Sequence, residues 1–337
     1  MAKQKGKKKN NRAALIVLLC ILALILLMLV AAFFMYKRFY DKTHYETEPS
    51  EIEIVTESEV VESIETVPES EEESLIEDIS KEQSEAAEET VEEEEKHDVL
   101  NILLVGVDRR ARDWNGNSDA MILCTINYDK KKVVLTSLMR DTCANIPGVG
   151  IRKLNAAFAL GGAPLLMSTL EQNFTLEIDN YAWLDFEDMK QVIDILGGVD
   201  IQLTVKEAER LKIAIASDQV VHLNGEKALA YARDRSSGGN ADFGRTQRQR
   251  NVIMAIVNKA RAGGLGDLAK TADNVLPYIT HDIDQWKMLG LLADLAKIKD
   301  FEFVQQRIPF DGMYYSQNEM LVPDYKETIL KMKETMY

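Results

Sequence analysis

Residues 13–36 carry no Asp, Glu, Lys or Arg over 24 consecutive positions, and that run limits what the rest of the chain can be. A helix rises about 1.5 Å per residue, so such a run crosses a hydrocarbon layer about 30 Å thick with some tilt. Phe33, Phe34 and Tyr36 stand where aromatic rings favour the interface, and Lys37 and Arg38 close the run. The head, residues 1–12, holds Lys3, Lys5, Lys7, Lys8, Lys9 and Arg12 and no acid, which predicts a cytoplasmic N-terminus. A cleaved signal peptide has an apolar stretch of about 7–15 residues, so an uncleaved single-pass anchor in the cell membrane is the expectation. Everything after about residue 40 is then expected outside the cytoplasm.

Charge is spread unevenly along the 337 residues, whose net charge is −15. Residues 1–45 hold nine Lys and Arg against one Asp, whereas residues 46–97 hold 22 acids against two Lys. Residues 98–337 are left with −3, so no basic domain surface argues for nucleic acid. Apolar residues are sparse in 46–97 and like charges repel, so 37–97 reads as an acidic, disordered extracytoplasmic tether. Three cysteines make neither a disulfide framework nor a zinc pattern. Cys20 lies in the apolar run, and Cys124 and Cys143 read as core or near-core thiols.

From residue 98 strand-like and helix-like stretches alternate. VLNILLVGV (99–107) is apolar and β-prone, as a strand buried on both faces should be. Further strands are predicted at 120–128, 132–139, 181–184, 199–203 and 301–308. Helices are predicted at 156–160, 163–170, 186–196, 224–233, 244–261, 265–275, 284–297 and 325–336. Gly161 and Gly162 break the first pair, and Gly197-Gly198 caps the 186–196 helix. The alternation predicts a single three-layer α-β-α domain with a mixed central sheet over 98–337. The two helices at 156–170 are rich in small apolar residues, which suits core packing or, alternatively, a greasy groove for a lipid tail.

Candidate site residues gather at strand ends and in one motif. Asp108, Arg109 and Arg110 follow the first strand, Asp119 precedes the second, and Arg140 and Asp141 end the third. Arg152 and Lys153 follow. The motif YARDRSSGGNADFGRTQRQR (231–250) sets Arg233, Arg235, Arg245, Arg248 and Arg250 around Asp234 and Asp242. At 100° per residue, Arg245 shares a face with Gln249, Val252, Ile253 and Ile256, which turns Arg245 inward and Arg250 to the opposite side. An inward guanidinium needs an anion, supplied by an internal carboxylate or by a ligand. Asp242 stands where it caps the helix start. Several guanidiniums, a few carboxylates and no histidine or thiol in any cluster suit phosphoryl chemistry with Mg²⁺. The sequence has no GxxxxGK[ST] loop.

The segments NILLVGVDRR, NSDAMIL, SLMRDT, RKLNAAFALGG, FEDMKQVIDILGGVDI, HLNGEKALAYARDR and DFGRTQRQR occur in the order found in the LytR-CpsA-Psr family of bacterial cell-envelope proteins, which this chain resembles. The resemblance places core motifs at 99–260 and a C-terminal extension at 261–337. It implies a transferase moving a glycopolymer, such as teichoic acid or capsule, from a polyprenyl-pyrophosphate carrier to peptidoglycan with Mg²⁺. It assigns Arg140, Arg235 and Arg245 to grip the pyrophosphate, helped by Arg109, Lys153, Arg233 and Gln249. Asp108 and Asp119 would hold Mg²⁺, and Asp242 would serve as general base. The chain departs from the family pattern in having Asn117 where Arg is frequent and Ala120 where Thr is common. The alternatives are a non-catalytic or regulatory protein that binds lipid-linked polymer, and a prenyl-pyrophosphate pyrophosphatase.

Overall fold

The computed structural model describes residues 36–38, 40–47, 49, 51–55, 68–90, 98–109, 115–237, 241–262 and 274–337. Within helices, the side chains of 69, 70, 90, 241, 242, 260, 261, 292, 295 and 296 are outside that description. The head expected to be cytoplasmic, nearly all of the expected membrane span and most of the expected 265–275 helix lie outside the described residues. Among the described residues no helix is long and apolar enough to cross a membrane. Residues 1–43 and 44–337 form separate units.

Among its described residues the second unit holds thirteen strands and eight helices. The strands are β1 His44–Tyr45, β2 Val99–Asp108, β3 Asn117–Asn127, β4 Lys132–Leu138, β5 Cys143–Ile146, β6 Gly150–Lys153, β7 Asn180–Asp185, β8 Val199–Leu203, β9 Gln219–Leu223, β10 Thr280–His281, β11 Glu302–Ile308, β12 Tyr314–Gln317 and β13 Met320–Pro323. The helices are α1 Glu69–Thr90, α2 Ala156–Phe174, α3 Phe186–Ile195, α4 Val205–Arg210, α5 Gly225–Arg233, α6 Ala241–Ala262, α7 Gln285–Ile298 and α8 Tyr325–Met336.

The central sheet runs β1-β10-β7-β2-β3-β4-β11 and is mixed, as the alternation of elements implied. β2, β3 and β4 pair antiparallel, while β7 lies parallel to β2 and β11 parallel to β4. Side chains alternate across each strand, so β2 divides its apolar residues between two layers. Leu103, Val105 and Val107 face a core built with α1, α2 and α8. Leu100 and Leu104 face the other side, where Ile298 of α7 and Ile253 of α6 pack. The residues of α2 are mostly buried core, which decides for packing against the lipid groove. Gly162 takes φ 66°, a left-handed conformation that glycine adopts without a Cβ penalty, and the helix breaks there as expected.

One expectation needs correction. The acidic segment is not a disordered tether throughout, because 69–90 is the helix α1. Leu75, Ile79 and Ala86 lie on one face of it and are buried in the core. Its acids find partners far along the chain. The Glu72 carboxylate accepts from Ile151 N–H at 2.7 Å and lies 3.5 Å from Arg152. The Glu82 carboxylate accepts from Tyr325 N–H at 2.7 Å, at the N-terminus of α8, where orphan N–H groups and the dipole favour negative charge. Lys326 pairs with Glu89 at 2.5 Å. Local charge repulsion argued for disorder, and tertiary partners overrode it. The C-terminal stretch belongs to the single domain, as expected: β11 extends the central sheet and α8 buries Ile329, Met332 and Met336 in its core.

Candidate functional site

The ends of β2 and β3 set the first half of the site. They are antiparallel neighbours, with Asp108 opposite Asn117. Gly106 pairs with Ala120 and Val107 with Ser118, so Asp119 is the extra residue of a bulge on β3. A bulge re-aims a side chain at a strand end. Ser118 and Met121 stay buried, while Asp119 and Ala120 both turn toward the face covered by α3, α5 and α6. Arg140, just past β4, lies 3.1 Å from Asp119 Oδ1 and 3.4 Å from Asp141 Oδ2. Its carbonyl accepts from Asn155 N–H at 3.2 Å, which brings the first turn of α2 to the same place.

The 231–250 motif supplies the other half. Asn224 caps α5 by accepting from Lys227 N–H at 3.0 Å. Gly225 packs so closely on the Lys190 carbonyl that a Cβ would sit 2.1 Å from it. That contact holds α5 against α3 and delivers Arg233 3.4 Å from Asp108 and 4.9 Å above the Phe186 ring. Asp234 ends the helix. Burial pushes its carboxyl up, but the hydroxyls of Ser237 and Ser236, the Ser236 N–H and Arg248 outweigh that and bring it down to about 2. On α6, Arg245 is 3% exposed and 3.7 Å from Asp119 Oδ1, while Gln249 donates to the Asp119 carbonyl at 3.1 Å. The inward face expected for Arg245, Gln249 and Val252 is therefore the one observed. Arg250 falls on the other side of the helix, as expected, yet it is buried there beside Arg307, and burial, with that second cation, brings its pKa down to about 10. α6 packs on two sides at once, which a single-faced helix wheel does not anticipate. Arg248 is buried too, and clamps Glu207 at 2.8 Å and the Asp234 carbonyl at 2.9 Å.

These pieces enclose a cavity of about 570 Å³. Asp108, Asn117, Asp119, Arg140 and Asn155 line it from the strand ends and α2, and Phe186, Arg233, Arg235, Arg245 and Gln249 from the opposing helices. Four guanidiniums against two carboxylates leave a surplus of positive charge suited to a polyanion. A narrow apolar slot adjoins it, lined by Gly106, Ala120, Met189, Ile193, Ala228, Leu229, Ala232, Val252 and Ile253 and sharing Phe186, Arg233 and Gln249 with the cavity. Gly106 makes this approach possible, since a Cβ there would lie 3.2 Å from that of Ala120.

Two of the expected anion ligands lie elsewhere. Lys153 is not among the lining residues and stands 3.8 Å from Glu319. Arg109, one residue past β2, is half-buried and does not line the cavity either. Asp242 lies in the first turn of α6, and its side chain, like residues 110–114, falls outside what is described. Asn155 and Phe186 line the cavity without having been singled out; their places within RKLNAAFALGG and FEDMKQVIDILGGVDI were the only hint.

Asp108 and Asp119 suit a hard cation. No group of three or more His, Cys, Asp or Glu that could hold a metal occurs among the described residues. Mg²⁺ needs no such cage, because it keeps waters and takes one or two carboxylates together with substrate phosphates. Two carboxylates and the amide oxygens of Asn117 and Asn155, beside guanidiniums placed for phosphate, fit that habit.

A model described as the LytR_cpsA_psr family matches residues 65–336. The polyisoprenyl-teichoic acid–peptidoglycan teichoic acid transferase TagU of Bacillus licheniformis is 33% identical over 228 residues, 66% of this chain and 73% of that protein. Biofilm regulatory protein A of Streptococcus mutans is 35% identical over 240 residues, 64% of this chain and 59% of that one. Among solved structures, TagT bound to LI-WTA superposes with a TM-score of 0.58 at 25% identity, over 72% of this chain and 91% of that one.

Proposed function

This chain belongs to the LytR_cpsA_psr family, and from that membership we propose that it is a membrane-anchored, Mg²⁺-dependent phosphotransferase that attaches a glycopolymer from a polyprenyl-pyrophosphate carrier to peptidoglycan. Its curated relatives named as teichoic acid transferases support the reaction class. The observation that carries the reading is the meeting of four guanidiniums and two carboxylates in one cavity beside an apolar slot. A prenyl pyrophosphate has that same division, a dianionic head on a hydrocarbon chain. Arg140, Arg235 and Arg245, with Arg233, hold the head, and the slot between α3, α5 and α6 takes the first isoprene units.

The acceptor hydroxyl oxygen attacks the phosphorus that carries the glycan. A new P–O bond forms there, the bond to the bridging oxygen breaks, and polyprenyl monophosphate leaves with the electron pair. The guanidiniums stabilise charge on the leaving phosphate, since donors fixed before the reaction need no reorganisation. The hydroxyl proton passes to a base, the role the family resemblance gives to Asp242. Asp108 and Asp119 would hold Mg²⁺, which neutralises phosphate charge when bound. Gln249 positions the bulge through the Asp119 carbonyl. The anchor at 13–36 keeps the domain on the extracytoplasmic side, where both substrates are.

The test reconstitutes the full chain in lipid nanodiscs with a pyrophosphate-linked glycan and soluble peptidoglycan strands, at increasing Mg²⁺. The glycan should become covalently joined to peptidoglycan, with a metal dependence that Asp119→Ala removes. Glycan phosphate released to water, with no adduct, would make the chain a pyrophosphatase. Binding without either product would leave it a lipid-linked-polymer binding protein.

A further inference from the structure

Helix α7 turns an apolar face outward. Trp286, Leu289, Gly290 and Ala293 are all exposed, and their spacing puts them on one stripe. Trp286 is 62% exposed and Leu289 41%, and a Cβ at Gly290 would meet nothing within 4 Å. The outer face of a surface helix ordinarily carries its charges. Here they lie to the side or at the end: Lys287 stands 3.5 Å from Asp179, and Lys297 pairs with Asp294 at 2.8 Å.

The position of α7 narrows what the stripe meets. The helix starts four residues after β10 ends, and β10 is the strand that β1 pairs with. Tyr45 of β1 is itself 43% exposed. His44 is eight residues beyond Tyr36, where the uncharged run ends. Eight residues of chain extend no further than about 29 Å. The 3-10 turn Leu276–Tyr278 touches both β1 and α3, and α3 lines the apolar slot.

We propose that the Trp286–Leu289–Gly290–Ala293 stripe is an interfacial contact that seats the domain on the bilayer holding its anchor. The inference rests on the anchoring proposed above. Tryptophan favours this zone because its ring has an apolar body and an N–H that stays in the wet headgroup layer. A second copy of the chain is the poorer occupant. Stable protein interfaces bury about 800 Å² on each partner, and four residues that include a glycine and an alanine offer far less. Seating at this edge also turns the slot's α3 wall toward the layer in which a prenyl chain resides.

The experiment uses the full chain in nanodiscs whose acyl chains are brominated or not. The emission of Trp286 is taken as the difference between wild type and Trp286→Phe. Most of that difference should vanish with brominated lipid and resist acrylamide added to the water. Loss to acrylamide but not to bromine, in protein that resists carbonate extraction from membranes, would overturn the proposal and leave the anchor standing. Protein released by carbonate would sink the anchor and the seat together. Ala293→Cys disulfide dimers between two copies in one disc would give the stripe to a second copy instead. Trp286→Ser/Leu289→Ser should lower transfer from a bilayer-embedded donor several-fold and leave transfer from a water-soluble short-prenyl donor unchanged. Equal losses with both donors would mark a folding defect and count against the seat.

Discussion

The two faces of the central sheet draw on the same strands and are finished in opposite ways. On the face under α1, α2 and α8, Leu103, Val105 and Val107 meet Leu166, Leu170 and Phe174, and the space is filled. On the other face, near the ends of β2 and β3, the positions are Gly106 and Ala120, opposed by Ala228 and Ala232. Small residues there withhold packing and leave a slot. The difference teaches that the site is a gap in a core, with charge set at its rim by strand ends. The filled face should govern stability and the open face chemistry.

The most severe test of that division exchanges losses between the faces. Phe174→Ala removes a fully buried ring stacked 5.7 Å from Tyr325, and should lower unfolding free energy by about 3–5 kcal/mol, read from the denaturant midpoint. Arg245→Ala should leave the midpoint near its original value. It should weaken prenyl-pyrophosphate binding by about 1.5–3 kcal/mol, the range for a charge-assisted contact. Comparable stability losses in the two variants would erase the distinction.

Filling the gap comes next in size. Ala120→Leu adds carbons at the slot, so binding should weaken progressively as the prenyl chain of the ligand lengthens, by about 0.8 kcal/mol for each methylene denied burial. A loss that does not depend on chain length would put the hydrocarbon elsewhere.

Arg250 sharpens the comparison at a smaller scale, because it is a charge buried away from the cavity. Among the described residues its Nε and Nη1 find no hydrogen-bond partner, and Arg307 is its neighbour. Exchanging a buried charge for an apolar chain of similar length is often neutral or stabilising. Arg250→Met should keep or raise the melting temperature, and a fall worth more than about 1 kcal/mol would reveal an anionic partner.

The smallest effects are opposite pH responses on the two faces. Burial, ahead of its other neighbours, raises the Glu82 carboxyl on the filled face above 4.5. Its stability contribution is present below that value and lost as pH climbs through the raised one. Asp234 on the open face, held down to about 2, contributes above 3.8, and that contribution is lost as pH falls through 2. In thermal melts against pH, Glu82→Gln should flatten the first window and Asp234→Asn the second. Interchanged windows would reverse both assignments.

Much of this was legible in the sequence where local signal and tertiary role agree. VLNILLVGV is buried on both faces of the sheet, and the spacing of Arg245, Gln249 and Val252 gave the correct inward face. Asp108 and Asp119 do reach the same cavity from the ends of an antiparallel pair. What could not be read depends on distant partners. The bulge that turns Asp119 into the cavity is a matter of register between two strands. Lys153 is drawn to Glu319, far along the chain. α1 looked unable to fold because its acids repel one another, and the N–H groups of Ile151 and Tyr325 that receive them lie 79 and 243 positions away.

One consequence concerns the acidic segment as a piece of string. Before entering it the chain is already fastened: Glu46 N–H donates to the His281 carbonyl at 2.8 Å, and the Glu46 carboxylate accepts from the Tyr181 hydroxyl at 3.0 Å. It is fastened again along α1 and at β2. The segment is thus knotted to one body at both ends, and cannot act as a leash whose length sets how far the domain roams. Added residues between 56 and 67 should change only the entropy of closing a circle, about 0.6 kcal/mol for each doubling. With the anchor proposed above, roaming distance would be set instead by the few residues between 36 and 44.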